Sequence, residues 1–169
     1  MDEGSPSALP KIACICCTYQ RPHLLGEAIE SFLRQEYPAD KRELIILDDA
    51  GQYEEQEGEG WRLLSIRRRF WTLGEKRNAS AALASPDVDA YAPWDDDDIY
   101  LPWHLASMAR ALKESEWSLP SHVWIDCGTH FVPHNTGGLY HASWGFTRDL
   151  FRRAGGYPSM QSGEDQGLG

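Results

Sequence analysis

Short apolar runs alternate with amphipathic stretches along most of this chain. From Lys11 to Cys17 the residues are almost continuously apolar, the pattern of a strand buried on both faces. Pro22 then opens a helix, as Pro does at a first helical position. Leu24, Leu25, Ala28, Ile29, Phe32 and Leu33 recur through it at helical spacing, and Tyr37-Pro38 ends it. Glu43 to Leu47 predicts a second buried strand, closing on Asp48-Asp49. An acidic, Gly-rich loop from Gly51 to Gly60 follows, its glutamates read as solvated, and Trp61 to Ile66 predicts a third strand. Arg67-Arg68-Arg69 and Gly74-Glu75-Lys76-Arg77 frame a loop before an Ala-rich helix from Asn78 to Ala84. Val88 to Trp94 predicts a strand that runs into Asp95-Asp96-Asp97-Asp98. Pro102 opens a helix with Leu105, Met108, Ala109 and Leu112 on one face. Val123 to Cys127 reads as a strand, residues 128–147 show no clear period, and Arg148 to Arg153 form a short helix ended by Gly155-Gly156. Residues 1–10 read as a flexible leader and residues 11–169 as one domain.

Strands alternating with helices predict an α/β fold, a mostly parallel central sheet flanked by helices. Ligands of such sheets bind beyond the carboxyl ends of the strands. Three separate segments with chemical potential fall there: Thr18-Tyr19, Asp48-Asp49 and the Asp run. The run is the sharpest signal. It ends a buried strand, so its carboxylates crowd together beside the interior. Crowding and burial both oppose ionisation, and a bound cation offsets both. Hard cations such as Mg²⁺ or Mn²⁺ prefer these oxygen ligands. Surplus acids at a helix N-terminus would account for Asp98 through the helix dipole, but poorly for four acids in a row.

Composition narrows the field. The net charge of -10, from 26 Asp+Glu against 16 Lys+Arg, argues against nucleic-acid binding by phosphate neutralisation. No stretch is long and apolar enough to span a membrane, and the first residues lack the features of a signal peptide. Cys14 and Cys17 have CxxC spacing, but no second pair accompanies them. They read, with Cys16, as small buried residues carrying free thiols. Together these features predict a cytoplasmic domain, with a peripheral position at a membrane as the variant.

In order and spacing, five blocks resemble the family 2 inverting glycosyltransferases with a GT-A fold. They are Thr18-Tyr19-Gln20-Arg21-Pro22, Glu43 to Asp49, Gly74-Glu75-Lys76-Arg77-Asn78, Asp95 to Pro102, and Gly155-Gly156-Tyr157 with Glu164-Asp165. The resemblance covers about Lys11 to Asp165. It implies a GT-A-like nucleotide-diphospho-sugar transferase fold and a metal-dependent enzyme of the hexosyltransferase type. The donor would be a nucleotide-diphospho-sugar, UDP-linked, and the acceptor a saccharide, lipid-linked or other hydroxyl. By the same resemblance Tyr19 packs against the nucleotide base, Cys17 offers its backbone, and Asp49 accepts a hydrogen bond from the base. Arg77 lies near the nucleotide or diphosphate. Asp97 is the direct metal ligand, Asp95 supports it, and Asp96 touches the ribose or a metal-bound water. Asp165 is the catalytic base, and Glu164 beside it is read as an acceptor-side residue, a helix-capping acid or a group that sets the pKa of Asp165. His141 and Trp144 fall where the family binds the acceptor, and Trp144 is equally well read as a core aromatic. Asp48 reads as structural.

The sequence also departs from the family. Gln20 stands where Asn is frequent, and Ala50-Gly51-Gln52 replaces the usual small polar pair after Asp49. Relatives usually continue beyond the base, so the chain reads as shortened at its carboxy terminus. A non-catalytic nucleotide-sugar-binding domain is therefore the alternative reading. A sugar nucleotidyltransferase would want a glycine-rich loop after the first strand, which Thr18-Tyr19-Gln20-Arg21 lacks. A plain calcium-binding acidic domain leaves Tyr19, Asp49 and Arg77 unexplained. His130 and His134 are separated by Pro133, which argues against a helical metal pair and favours a surface or supporting role over that of a third metal ligand, and Arg67-Arg68-Arg69 reads as a solvated loop in preference to a phosphate contact.

Overall fold

A computed structural model of the chain describes residues 9–159. The leader expected over residues 1–10 falls almost wholly outside them, as do Glu164 and Asp165. The centre of the fold is strand β1 (Ile12–Thr18). It pairs in parallel with β2 (Arg42–Asp48) on one side and with β5 (Ala90–Pro93) on the other, and β4 (Trp61–Ser65) extends the parallel set beyond β2. The sheet order is β3-β4-β2-β1-β5-β9-β6. Its three outer strands, β3 (Gln56–Gly58), β6 (Trp117–Ser118) and β9 (Gly145–Thr147), are short and antiparallel.

Alternation along β1 sorts the core into two layers. Ile12, Cys14 and Cys16 face one side, where they join Leu25, Ala28 and Phe32 of α1 (Pro22–Leu33) and Leu105, Met108 and Ala109 of α3 (His104–Ala111). Ala13 and Ile15 face the other. There they meet Ala81 of α2 (Leu73–Ala82) and Leu150 and Phe151 of α4 (Arg148–Ala154). Both faces are covered, which is why the central strands carry no polar alternation. The three thiols of β1 are free, as expected; Cys14 and Cys16 are fully buried.

The expected strands and helices are present, with informative shifts. The loop predicted over 51–60 contains edge strand β3, joined to β4 by a tight turn in which Gly60 takes φ +71°. A glycine serves there because left-handed backbone is costly for residues with a Cβ. Helix α2 begins at Leu73, so Gly74 to Arg77 form its first turn and not a loop. Thr72 caps it, its side chain accepting from the Glu75 amide at 3.1 Å. Strand β7 (His122–Asp126) lies outside the central sheet and forms a separate hairpin with β8 (Phe131–Asn135). Residues 139–147, which carry no periodic signal, fold as a short helical turn at His141–Ser143 followed by β9. Among the described residues, no helix is long and apolar enough to cross a membrane.

Candidate active site: a cleft at the carboxyl edge of the sheet

Parallel pairing brings the strand ends to one edge. Thr18 is in register with Asp48, Asp48 with Ser65, and Ile15 with Pro93, two residues before Asp95. Above this edge opens a cleft of about 830 Å³. Cys17, Tyr19, Asp49, Arg77, Asp95, Asp96 and Asp97 line it, so all the nucleotide and metal candidates within the described residues converge.

The two acids closing β2 divide the labour. Asp48 is fully buried and accepts from the Ala50 and Gln52 amides, each at 3.0 Å, and from Ser65 Oγ at 2.7 Å. It holds the turn, as the sequence suggested. Asp49 is also buried but faces the cleft. Its Oδ1 accepts from Lys76 Nζ and from Arg69 at 2.7 Å, and its Oδ2 accepts from the Phe70 amide at 3.0 Å. Burial raises the Asp49 pKa, but these donors outweigh it and hold the carboxyl below the usual range. A carboxylate offers about four lone-pair sites, so three protein donors leave it able to accept one more bond.

The acidic run lies in a turn beyond the end of β5, and its members differ in burial and in partners. Asp96 is the enclosed member: Oδ2 accepts from Thr18 Oγ1 at 2.6 Å and Oδ1 from Arg21 at 3.1 Å. Asp97 is half exposed and accepts from Arg21 at 2.7 Å. Asp95 lies 3.5 Å from Arg77. Burial, then the charges of Asp97 and Asp96, push the Asp95 carboxyl upward against the pull of Arg77. Asp98 sits at the exposed rim, yet partial loss of hydration and the charges of Asp95, Asp97 and Asp96 push it up to about 6. Among the described residues no three His, Cys, Asp or Glu side chains form a ready-made metal group. The donor set nevertheless fits a hard cation. Asp95 and Asp97 face the same cleft, the charges of Asp97 and Asp96 bear on Asp95, and such ions complete their shells with water and phosphate oxygens.

Local backbone geometry sets the cationic groups. Gln20 adopts φ 55°, a left-handed conformation uncommon outside glycine, and turns the chain back so that Arg21 reaches the Asp run. The first turn of α2 delivers Lys76 and Arg77, both buried. Lys76 Nζ bridges Asp49 and the Thr18 carbonyl, tying the ends of β1 and β2 together. Arg69, read from sequence as part of a solvated loop, instead stands on the cleft wall with its guanidinium carbon 3.6 Å from the Tyr19 ring centroid. Thr18, Arg21 and Lys76 are thus site residues to which the sequence reading gave no individual role, and Arg69, weighed there as a phosphate contact against a solvated loop, meets Tyr19 and Asp49. The one local signal available was the Thr72-x-x-Glu75 cap, which starts α2 early enough to bring Lys76 onto the helix. The Cys17 thiol, beside Ser80 Oγ at 3.6 Å, is pushed up to about 11 by burial, so it carries no thiolate chemistry near neutrality.

Of the three acceptor candidates, Glu164 lies outside the described residues and the other two do not line the cleft. Trp144 and His141 are buried, 5.2 Å apart between ring centroids, and neither lines the cleft. Trp144 packs against Trp117, and His141 Nε2 lies 3.0 Å from the Tyr157 hydroxyl.

Comparison with known proteins agrees with this geometry. A family model described as glycosyl transferase family 2 matches residues 13–160. No curated protein matches the chain. Among solved structures, S. aureus TarS 1-349 superposes with a TM-score of 0.72 at 17% identity, over 92% of this chain and 53% of that one. A structure of the same protein in complex with UDP-GlcNAc gives 0.73 at 17% identity, over 92% and 51%. The mannosyltransferase PcManGT from Pyrobaculum calidifontis, in complex with GDP-Man and Mn²⁺, gives 0.69 at 20% identity, over 96% and 51%. The chain therefore spans about half the length of these structures. At such identities the superpositions establish the GT-A architecture, and the match over residues 13–160 establishes the family: the chain belongs to glycosyl transferase family 2.

Proposed function

We propose that the chain is a metal-dependent inverting glycosyltransferase that moves a hexosyl group from a UDP-linked sugar to an acceptor hydroxyl. The observation that carries this reading is the meeting of Tyr19, Asp49, Arg77 and the Asp run around one cleft. Structural neighbours bound to UDP-GlcNAc, or to GDP-Man with Mn²⁺, support a nucleotide-sugar donor. Asp49, kept ionised by its donors, takes the remaining hydrogen bond from the base. Arg77 holds the diphosphate side, and Asp96 fixes Arg21 and Thr18 beneath it. Asp95 and Asp97 would hold a Mn²⁺ or Mg²⁺ ion, whose Lewis acidity stabilises the leaving diphosphate. Asp165, which lies outside the described residues, takes the acceptor proton as the hydroxyl oxygen bonds to the anomeric carbon. The bond to the diphosphate breaks on the opposite face, which inverts the centre.

Calorimetric titration of UDP, GDP and dTDP, each with and without Mn²⁺, tests the donor half. Metal-dependent binding of UDP is expected; no binding of any nucleotide to the folded protein rejects the reading. Asp165→Asn is expected to keep UDP binding while turnover with an acceptor disappears. Undiminished turnover would remove Asp165 as the base.

A further inference from the structure

Helix α2 grips residues 157–159 with the same turns that hold the donor-side acids. Asn78 Nδ2 donates to the Tyr157 carbonyl at 2.9 Å, and Asn78 Oδ1 accepts from the Tyr157 amide at 2.8 Å. Glu75, three residues earlier and so on the same helix face, accepts from Ser159 Oγ at 2.7 Å. Between these two, Lys76 donates to Asp49 and Arg77 lies 3.5 Å from Asp95. The Arg77 guanidinium carbon is also 5.5 Å from the Tyr157 ring centroid. One helix thus joins the acids of the cleft to the segment that leads toward Glu164-Asp165.

The Tyr157 ring is buried in the second core layer, which holds the side chain but not the course of the backbone after it. Asn78 supplies that restraint, because it bonds both the N–H and the C=O of one residue. The approach is close: Gly156 takes φ +78°, and a Cβ there would meet Asn78 Oδ1 at 2.6 Å, so only glycine lets the chain close on the helix. Asp165 follows six residues after Ser159, a reach of at most about 20 Å fully extended. Whatever holds residues 157–159 therefore limits where Asp165 can stand. We propose that Asn78 is a positioning residue, which locks the Tyr157 backbone to α2 and so sets Asp165 against the donor. The inference rests on the readings of Asp165 as base and of the Asp run as metal site.

The test is paramagnetic broadening of backbone amide signals by NMR in the intact chain with UDP. Mn²⁺ broadens nearby amides, and diamagnetic Mg²⁺ gives the baseline. Wild type, Asn78→Ala and Asn78→Asp are compared, and calorimetry gives UDP affinity for each. In wild type, the amides of Asp95 to Asp97 and of Asp165 are expected to broaden. Asn78→Ala is expected to lose most of the broadening at Asp165, while Asp95 to Asp97 stay broadened and UDP affinity is unchanged. Asn78→Asp keeps an oxygen for the Tyr157 amide and is expected to fall between, and it carries the test if the alanine variant does not fold. Equal broadening at Asp165 in all three chains would leave Asn78 a purely structural role and overturn the proposal. Loss of UDP binding in both variants would make Asn78 part of the donor site and overturn it too, with the donor reading intact. Wild-type broadening at Asp95 to Asp97 but none at Asp165 would overturn Asp165 as the base, and this inference with it. A folded wild type that binds no UDP with Mn²⁺ would overturn the donor reading and, with it, the inference.

Discussion

Asp96 and Asp97 are adjacent and chemically identical, but their surroundings assign them opposite work. Asp96 is enclosed and accepts from Thr18 and Arg21, whereas Asp97 is half exposed and shares only Arg21 with it. Replacing Asp96 by Ala strands the buried Thr18 hydroxyl, a loss of about 1–3 kcal/mol. Replacing Asp97 by Ala removes a solvent-screened pair worth at most about 1 kcal/mol. Urea denaturation is therefore expected to show Asp96→Ala clearly destabilised and Asp97→Ala near wild type. Titration with UDP and Mn²⁺ is expected to show metal-dependent binding lost in Asp97→Ala. Survival of that dependence would reject Asp97 as a ligand. The four-Asp run was legible in sequence as a place for a cation. Which oxygen met which donor was not, because Thr18 and Arg21 are more than 70 residues away. Gln20 shows the same limit. Its difference from the frequent Asn looks minor on paper, yet the position has φ 55°, where Asn is more at ease.

Helix α2 shows how one cap governs a site. Thr72 satisfies the Glu75 amide, starts the helix at Leu73 and so sets the direction of Lys76 and Arg77. Thr72→Ala is expected to cost about 1 kcal/mol of stability. It is also expected to weaken UDP binding, because the first turn carries the cations that hold Asp49 and Asp95. Denaturation and calorimetry on the same preparation check both parts. A stability loss with unchanged affinity would show that Lys76 and Arg77 are held without the cap. Ala-rich periodicity located the body of this helix from sequence. Its first turn was missed because Gly74, Glu75, Lys76 and Arg77 show no apolar spacing, although Lys76 and Arg77 are buried there. Their burial is polar, facing a site and not a core.

Across the whole molecule, two histidines tie stability to pH. His104 packs against the stacked pair Trp94 and Tyr100, and burial lowers its pKa to about 4. His141 packs against Trp144 and Tyr157, and burial with the nearby Arg77 lowers it to about 3. His104 Nε2 and His141 Nδ1 have no hydrogen-bond partner among the described residues. The folded state keeps both rings neutral, while the unfolded chain protonates them below about pH 6.5. Their contribution is fully present above that pH and shrinks as the pH falls toward 4 and 3. Asp95 and Asp98, with raised values, act in the opposite direction, so the informative quantity is a difference between variants. On going from pH 7 to pH 5, wild type is expected to lose about 2 kcal/mol more stability than His104→Gln. Equal slopes in denaturation at the two pH values would show that His104 is hydrated in the folded state.

What the sequence determined by itself was the alternation of strands and helices, the parallel core and the five ordered blocks that mark the family. These depend on hydrophobic period, on proline and glycine punctuation, and on acids placed at strand ends, all local or nearly local properties. Tertiary structure alone decided how the site is wired. It joined β1 and β2 through Lys76, turned Asp96 inward, lifted Arg69 out of an apparently solvated loop onto Tyr19, and buried Trp144 and His141 away from the cleft. It also set β7 and β8 apart as a hairpin, where the apolar run predicted a strand without a partner. Apart from the hairpin, these outcomes are contacts between residues well separated in the chain. A one-dimensional pattern shows which faces must be buried, and the folded chain determines which partners they meet.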